Sequence, residues 1–262
     1  MSPRSHPMGS FVFAAFRILP LALAWTPWLA LANPAQSSVW IDVSREAGVR
    51  FNGYRLPREA EGMGVVIAPA REIATAAHVV WQAQSITIMD LNGAKARARV
   101  VCIDKAVDIA LLRVERPLKY FATIRKRPAV TGEAVDVVER PEPGEAPNIY
   151  SGAVGATHWT VNGVPASLIF SGIKGEKGMS GGGLFDAAGD LLGIVIRIDG
   201  RMGYLSVLPV AELCTRFSRC AGGGPPAVLP QACDPGLSQS AAPSRRASEA
   251  RAPVDRASTR GH

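Results

Sequence analysis

The segment from Gly178 to Gly183 reads GMSGGG and sets one serine, Ser180, among glycines. A serine hydroxyl is a weak nucleophile at neutral pH, and it needs a general base within hydrogen-bonding distance. It also needs backbone N–H groups directed at the oxyanion that forms when it attacks a carbonyl. Glycines on both sides allow the tight turn that would expose the hydroxyl and present those groups. Because an ordinary glycine-rich turn has the same composition, the segment alone does not identify a nucleophile.

Candidates for the base are few, because the chain has four histidines. His6 lies close to the N-terminus, and His262 is the last residue. His158 follows a predicted strand and is more typical of a surface or packing residue. His78 follows the segment 73–77, where a strand gives way to two valines. His78 is therefore the candidate base, with a purely structural role as the alternative.

An aspartate, Asp108, begins the apolar run 109–112. A carboxylate at the start of a buried strand costs free energy unless another group pairs with it. In a catalytic triad it would hold the tautomer of His78 and stabilise the imidazolium while remaining ionised itself. Together the residues predict nucleophilic catalysis by Ser180, with His78 as base and Asp108 as its partner.

Around these residues, short apolar segments alternate with turn signals from about Ser38 to Leu208. Asn92-Gly93 is a strong hairpin signal, and the alternation after it predicts a strand with one solvated, basic face. After Pro209, residues 210–217 predict a short amphipathic helix. The pattern predicts an all-β barrel pair or a sandwich. Strands are predicted at 64–68, 85–91, 94–103, 109–114, 134–138, 149–157, 167–170, 191–198 and 203–207.

Three blocks resemble the signature blocks of chymotrypsin-like serine proteases: TAAH ending at His78, DIALL beginning at Asp108, and GMSGG around Ser180. The order His, Asp, Ser is that of this family, and the separations are similar to those of its bacterial HtrA/Deg branch. The resemblance extends from about Glu61 to Leu213. It implies an all-β fold of two six-stranded antiparallel β-barrels with a short C-terminal helix, and a triad in the cleft between the barrels.

The resemblance also implies roles for the residues near Ser180. The backbone N–H groups of Gly178 and Ser180 would form the oxyanion hole. The floor of the primary specificity pocket falls at Lys174, with Ile196 beside it. Glu176 and Lys177 would either line the pocket entrance or neutralise each other. A lysine facing the pocket would favour acidic or polar substrate side chains and disfavour cleavage after Arg or Lys. The alternative is that the loop 172–177 turns Lys174 towards water.

Three departures from the family pattern qualify the resemblance. Met179 stands where digestive members carry the Asp used in zymogen activation, which predicts competence without N-terminal trimming. Gly183 stands where the family usually has Pro, which predicts a looser nucleophile loop. About 40 residues follow Ala221, too few and too polar for the PDZ domain that HtrA/Deg proteases usually carry. The family's oligomeric assembly and allosteric control are therefore not carried over to this chain.

The two ends of the chain have compositions of their own. Residues 1–32 predict a cleaved export signal, because a positive region with Arg4 and Arg17 precedes an apolar run that ends in a small-x-small pattern before Asn33. The alternative is an uncleaved anchor, for which the proline-containing run is short. Residues 222–262, rich in Gly, Pro, Ser, Ala and Arg, predict a disordered tail. The predicted organisation is a signal over 1–32, a protease domain over 33–221 and a tail over 222–262, with the mature chain periplasmic or extracellular.

The four cysteines, at 102, 214, 220 and 233, form an even set that suits disulfides outside the cytoplasm. Their spacing matches no zinc pattern, so we expect neither a metal site nor a cofactor. Cys214 and Cys220 would point apart on a helix, which favours a bond from this region to Cys233. The state of Cys102 is left open.

The net charge of +7 invites a nucleic-acid hypothesis, but much of the excess lies in the two ends and no basic stripe interleaved with aromatics appears between them. The sequence predicts a serine endopeptidase that acts on proteins or peptides outside the cytoplasm. We expect no nucleic-acid partner and no stable membrane insertion after signal cleavage, and the oligomeric state is not predicted. One alternative is a catalytically silent binding or scaffold protein, and another is an all-β module that matches by chance.

Overall fold

The computed structural model of the chain describes residues 33–68, 71–139, 146–161 and 163–220. The predicted export signal and the predicted tail therefore lie outside the described residues. Within those residues, no helix combines the length and the apolar character needed to cross a membrane.

The elements of the first half of the described chain are α1 (Pro34–Ser37), β1 (Ser38–Arg45), β2 (Arg50–Phe51), β3 (Tyr54–Arg55), β4 (Glu59–Ala68), β5 (Glu72–Ala76), α2 (Ala77–Val80), β6 (Ala83–Met89), β7 (Lys95–Asp104) and β8 (Ile109–Val114). Six of these strands form a closed antiparallel barrel in the order β1-β4-β5-β8-β7-β6. The first five residues of β7 alternate between exposed and partly buried, and the basic side chains Lys95, Arg97 and Arg99 are exposed as predicted.

The elements of the second half are β9 (Ala134–Glu139), β10 (Asn148–Trp159), β11 (Leu168–Lys174), β12 (Gly183–Asp186), β13 (Leu191–Ile198), β14 (Tyr204–Pro209) and α3 (Val210–Cys220). The six strands form another closed antiparallel barrel, in the order β10-β11-β14-β13-β12-β9, and the helix α3 follows it. The predicted pair of six-stranded barrels with a short C-terminal helix is confirmed, and the sandwich alternative is wrong.

Each barrel has its own apolar core, and a further apolar cluster joins the two. That cluster brings Val65 and Leu111 of the first barrel together with Phe185 and Ile194 of the second and with Phe217 of α3. Complete burial of a side chain of this size contributes about 1.5–3 kcal/mol. The joint cluster therefore holds the two barrels in a fixed relation and defines the cleft between them.

The sequence predictions missed β1, β12, the β2–β3 hairpin and the two single-turn helices α1 and α2. The first four residues of β1 are all buried, so it lacks the period-two alternation that marks a half-exposed strand. Strand β12 begins inside the glycine run, at Gly183. A Cβ at that position would lie 2.6 Å from the Phe185 ring, so the glycine makes room for a buried aromatic side chain within a paired strand.

Two cysteines of this fold are oxidised: Cys102 of β7 and Cys214 of α3 are both disulfide-bonded. The question that the sequence left open for Cys102 is thus answered. The bond expected towards Cys233 lies outside the described residues. Beside these cysteines, Arg216 of α3 forms an ion pair with Asp104 of β7 at 3.1 Å.

Candidate active site

His78 lies on α2, a single turn of helix that begins where the buried strand β5 ends. The N–H of Ala77 donates to the carbonyl of Asp108 at 3.1 Å, which joins the start of this turn to the start of β8. At its other end, the buried guanidinium of Arg45 donates to the carbonyls of His78 and Val79. Burial lowers the pKa of the Arg45 guanidinium. Arg45 therefore fixes the turn that carries the histidine.

Asp108 meets His78 with both of its carboxylate oxygens. Oδ1 accepts the backbone N–H of His78 at 2.9 Å, and Oδ2 lies 2.8 Å from Nδ1 of the ring. The backbone of Asp108 has a φ of +58°, a left-handed conformation that aspartate and asparagine tolerate better than most other residues. The aspartate is therefore suited both to the turn before β8 and to orienting the imidazole.

Ser180 sits on a turn that is bonded to both barrels. Its carbonyl accepts the N–H of Met63 in the first barrel at 2.9 Å, and the N–H of Gly181 donates to Val195 in the second barrel at 2.8 Å. Gly181 has a φ of +87°, and a Cβ there would overlap the Met63 carbonyl and the Thr75 hydroxyl. Glycine is therefore required at this position by both the backbone conformation and the available space.

Met179 occupies the position before Ser180 with a fully buried side chain. It packs into the core of the second barrel, and its sulfur accepts the N–H of Glu176 at 3.3 Å. Apolar packing therefore holds the loop at Met179, the position where digestive members of the family carry the Asp used in zymogen activation. On the other side of Met179, Gly178 has a φ of +97°. Within the described residues, the N–H groups of Gly178 and Ser180 donate to no other group.

His78, Asp108 and Ser180 line the same cleft, whose volume is about 830 Å³. Residues 196–198 at the end of β13 and the hairpin formed by β2 and β3 also line this cleft. The structure therefore brings the three candidate catalytic residues together and places Ile196, predicted beside the specificity pocket, in the same cleft.

Lys174 and Glu176, the other two predicted pocket residues, are exposed and are not among the described residues that line this cleft. The ammonium of Lys174 donates to the carbonyl of Met202 at 2.6 Å and lies 4.0 Å from the centroid of the Tyr204 ring. These contacts hold the lysine across β11 and β14, as in the alternative in which the loop turns it outwards.

A second groove, of about 610 Å³, lies beside Gly178 and Lys177. It is lined by the carboxylate residues Asp42, Glu59 and Glu61 of the first barrel, so it differs in charge from the cleft at His78. No set of three or more His, Cys, Asp or Glu side chains in the described ranges is arranged to hold a metal ion.

Residues 62–194 match the family model of the trypsin-like peptidase domain. The chain belongs to the trypsin-like peptidase family.

Several relatives of this trypsin-like peptidase are curated proteases. It is 28% identical over 164 residues to a probable periplasmic serine endoprotease, DegP-like, of Halomonas elongata, a stretch covering 60% of this chain and 34% of the relative. It is 30% identical over 199 residues to a serine protease of Mycobacterium tuberculosis, covering 68% of this chain and 46% of the relative. The match thus spans about a third to a half of the curated relatives' length.

Solved structures give the same fold for this peptidase. The HtrA-type protease AlgW with a tripeptide superposes with a TM-score of 0.61 at 22% identity, covering 73% of this chain and 61% of that one. The serine endoprotease from Yersinia pestis superposes with a TM-score of 0.58 at 22% identity, covering 71% of this chain and 63% of that one. The predicted chymotrypsin-like fold and the likeness to the HtrA/Deg branch are confirmed.

Sequence reasoning missed several residues of this peptidase that surround its cleft. Phe51 and Tyr54 flank a two-residue hairpin at Asn52-Gly53, whose φ values are +46° and +89°. Such an Asn-Gly pair is a strong hairpin signal and was available in the sequence. Arg197 interrupts the otherwise apolar strand β13, which is also a readable signal. Arg45 gave no such signal, because its carbonyl partners lie more than 30 residues away along the chain.

Proposed function

We propose that this chain is a serine endopeptidase in which His78, Asp108 and Ser180 form the catalytic triad. One observation carries the proposal: the carboxylate of Asp108 bonds to both the backbone and the ring of His78, in a cleft that Ser180 also lines. Membership of the trypsin-like peptidase family supports it.

In the proposed mechanism, Asp108 keeps the proton of the neutral imidazole on Nδ1, so that Nε2 has a lone pair for the Ser180 proton. The Ser180 oxygen then attacks the scissile carbonyl, and His78 becomes an imidazolium that faces the carboxylate. The proton passes to the leaving amine, and the C–N bond breaks to give an ester on Ser180. Water, deprotonated by His78, attacks this ester. The bond between the acyl carbon and the Ser180 oxygen then breaks, His78 returns the proton to that oxygen, and the carboxylic acid product leaves.

The N–H groups of Gly178 and Ser180 are proposed to bind the oxyanion in both tetrahedral intermediates. Their lack of other acceptors within the described residues supports this role. Donors of this kind act on charge that develops in the transition state, and one such donor contributes about 10²–10³ in rate.

We further propose that the chain acts outside the cytoplasm on protein or peptide substrates. Two observations support this location: the export signal predicted for residues 1–32 and the disulfide-bonded state of Cys102 and Cys214. The name of the DegP-like relative includes periplasmic action, and AlgW was solved with a tripeptide. Mass spectrometry of the secreted chain should find Asn33 as its first residue, and an intact N-terminus would contradict signal cleavage.

The triad is tested by labelling the folded mature chain with a fluorophosphonate, which reacts with activated serine hydroxyls. Labelling should occur in the parent chain and vanish in both Ser180→Ala and His78→Ala. His158→Ala is the matched control, because this histidine is exposed on β10 and is not among the described residues lining the cleft. Each variant should unfold cooperatively like the parent.

Absence of labelling in well-folded parent chain would contradict the proposed activity. It would favour a binding protein that keeps the fold without hydrolysing peptides. Labelling that survives in Ser180→Ala would instead place the nucleophile elsewhere. Unfolding of His78→Ala at ambient temperature would indicate a structural role for that residue.

A further inference from the structure

The cleft that holds His78 and Ser180 also contains two cations that the catalytic proposal does not use. Lys105 comes from the turn between β7 and β8, and Arg197 comes from β13. Within the described part of the chain, neither forms an ion pair with a carboxylate. Asp108, the carboxylate of the same cleft, is already bonded to His78. The described side chains that line the cleft therefore leave its positive charge unbalanced.

Aromatic rings hold Lys105 without neutralising it. Its ammonium lies 5.7 Å from the centroid of the Phe51 ring and 5.1 Å from that of Trp81. Phe51 is only 5% exposed, and its ring lies 6.2 Å from the His78 ring and 5.5 Å from the Trp81 ring. A cation restrained in this way retains its charge and loses less conformational entropy when it binds an anion.

Arg197 lies between Ile196 and Ile198 at the end of β13 that lines the cleft. On one side, β14 pairs with Arg197 and Ile198, while Ile196 lies at the register shift between Val195 and Arg197. On the other side, the described part of β12 pairs with β13 only between Leu191 and Ile194. The edge beyond it is open to an extended peptide, which can add to a sheet edge by backbone hydrogen bonds.

An extended peptide on this edge would cover both cations and remove water from them. A cation that loses its hydration without gaining a partner costs free energy, whereas an acidic side chain on the peptide would offset that loss. We propose that Lys105 and Arg197 select substrates that carry an acidic side chain in the segment bound along residues 196–198. This proposal rests on the proposed peptidase function and assigns its substrate class.

The test uses peptidyl diphenyl phosphonates, which react covalently with an activated serine at a rate that depends on peptide binding. A neutral tetrapeptide ending in valine at the phosphonate is prepared with one Glu or one Gln at each of the three preceding positions. At low ionic strength, Glu at the preferred position should inactivate the chain about tenfold faster than Gln, as expected for a partly desolvated ion pair. The ratio should fall in about 0.5 M salt, because screening weakens the attraction.

Variants link this preference to the two cations. Lys105→Met/Arg197→Gln should bring the Glu to Gln ratio close to one, and Lys105→Glu/Arg197→Glu should favour a Lys-containing phosphonate over the Gln form. Lys95→Met/Arg97→Gln removes the same charge from the exposed face of β7 and should keep the parent preference.

Equal rates for Glu and Gln at all three positions would overturn the inference, as would a preference that survives in Lys105→Met/Arg197→Gln. A parent chain that reacts with a simple fluorophosphonate but with none of the peptidyl phosphonates would also overturn it. Failure of the proposed function is distinguishable, because the simple fluorophosphonate would then fail to label Ser180 at all, and the selectivity proposal would fall with it.

Discussion

Replacing Asp108 with asparagine tests the role that the proposed mechanism gives to the Asp108 carboxylate. Asparagine has nearly the same volume as aspartate, and it tolerates the left-handed conformation that Asp108 adopts, with a φ of +58°. The backbone at the start of β8 should therefore be preserved. The change removes one negative charge and one acceptor oxygen, and its effect reports on the carboxylate itself.

The expected size of the effect follows from the two hydrogen bonds to His78. The Asp108 carboxylate accepts the backbone N–H at 2.9 Å and faces Nδ1 at 2.8 Å. An amide has one acceptor oxygen, so if that oxygen stays on the backbone N–H, the NH2 group faces Nδ1 and donates to it. The imidazole must then carry its proton on Nε2, where it cannot accept the Ser180 proton. Loss of the correct tautomer lowers the rate by about 10⁴-fold, which corresponds to ~5.5 kcal/mol of transition-state stabilisation.

The assay is the second-order rate of fluorophosphonate labelling at neutral pH, with thermal unfolding measured in parallel. Asp136→Asn is the matched control, because this carboxylate lies on β9, accepts the Ser151 hydroxyl at 2.6 Å and is not among the described residues lining the cleft. The control should label at the parent rate. Labelling of Asp108→Asn within tenfold of the parent would refute the tautomer argument. A variant that does not unfold cooperatively would show that the carboxylate is needed for folding.

Three further predictions concern the stability of the fold. Gly181→Ala should lower the free energy of unfolding by about 2–4 kcal/mol, because a Cβ at a φ of +87° would overlap two oxygen atoms of the first barrel; an unchanged thermal transition would contradict this. Arg45→Met should lower it by about 1–3 kcal/mol in urea and slow labelling, because two carbonyls of α2 lose their donor; parent-like stability and labelling would contradict that role. The hydrogen bond from Arg125 holds the pKa of Glu133 below its ordinary value of 4.5. Between the folded pKa and 4.5, the unfolded chain therefore binds more protons than the folded chain. Glu133 thus adds stability that is fully present above pH 4.5 and is lost as the pH falls through its folded pKa. Urea unfolding of Glu133→Gln should therefore show a deficit at pH 6 that narrows in acid, and a deficit independent of pH would contradict this.

Much of the fold was predictable because strand periodicity and turn chemistry are local. The alternation along β7 and the apolar run of β8 each lie within one segment of the chain. The residues that carry each pattern are therefore the same residues that form the strand. Strands without that alternation were missed: β1 begins with four buried residues, and β12 is hidden in the glycine run. Closure of the strands into two barrels followed from the resemblance and not from the pattern itself.

The candidate site divides in the same way. His78, Asp108 and Ser180 stood out because their residue types and order are rare and specific, and the structure brings them to one cleft. Their catalytic role stays a prediction until labelling tests it. Lys174 was predicted either at the floor of the pocket or turned towards water, and its contacts run to Met202 and Tyr204, outside the described lining of the cleft, as in the second alternative.

The sequence by itself predicted the candidate catalytic residues, the alternation of the strands and the need for glycine around Ser180. Only the tertiary structure decided which side chains surround them: the buried Arg45 beneath α2, and Lys105 and Arg197 in the cleft. The physical reason is that these neighbours come from strands and turns far apart in the chain. Their contacts depend on barrel closure, on strand register and on the packing of one barrel against the other. The glycine-rich turn at Ser180 is local and readable, whereas the charge of the cleft it faces belongs to the assembled fold.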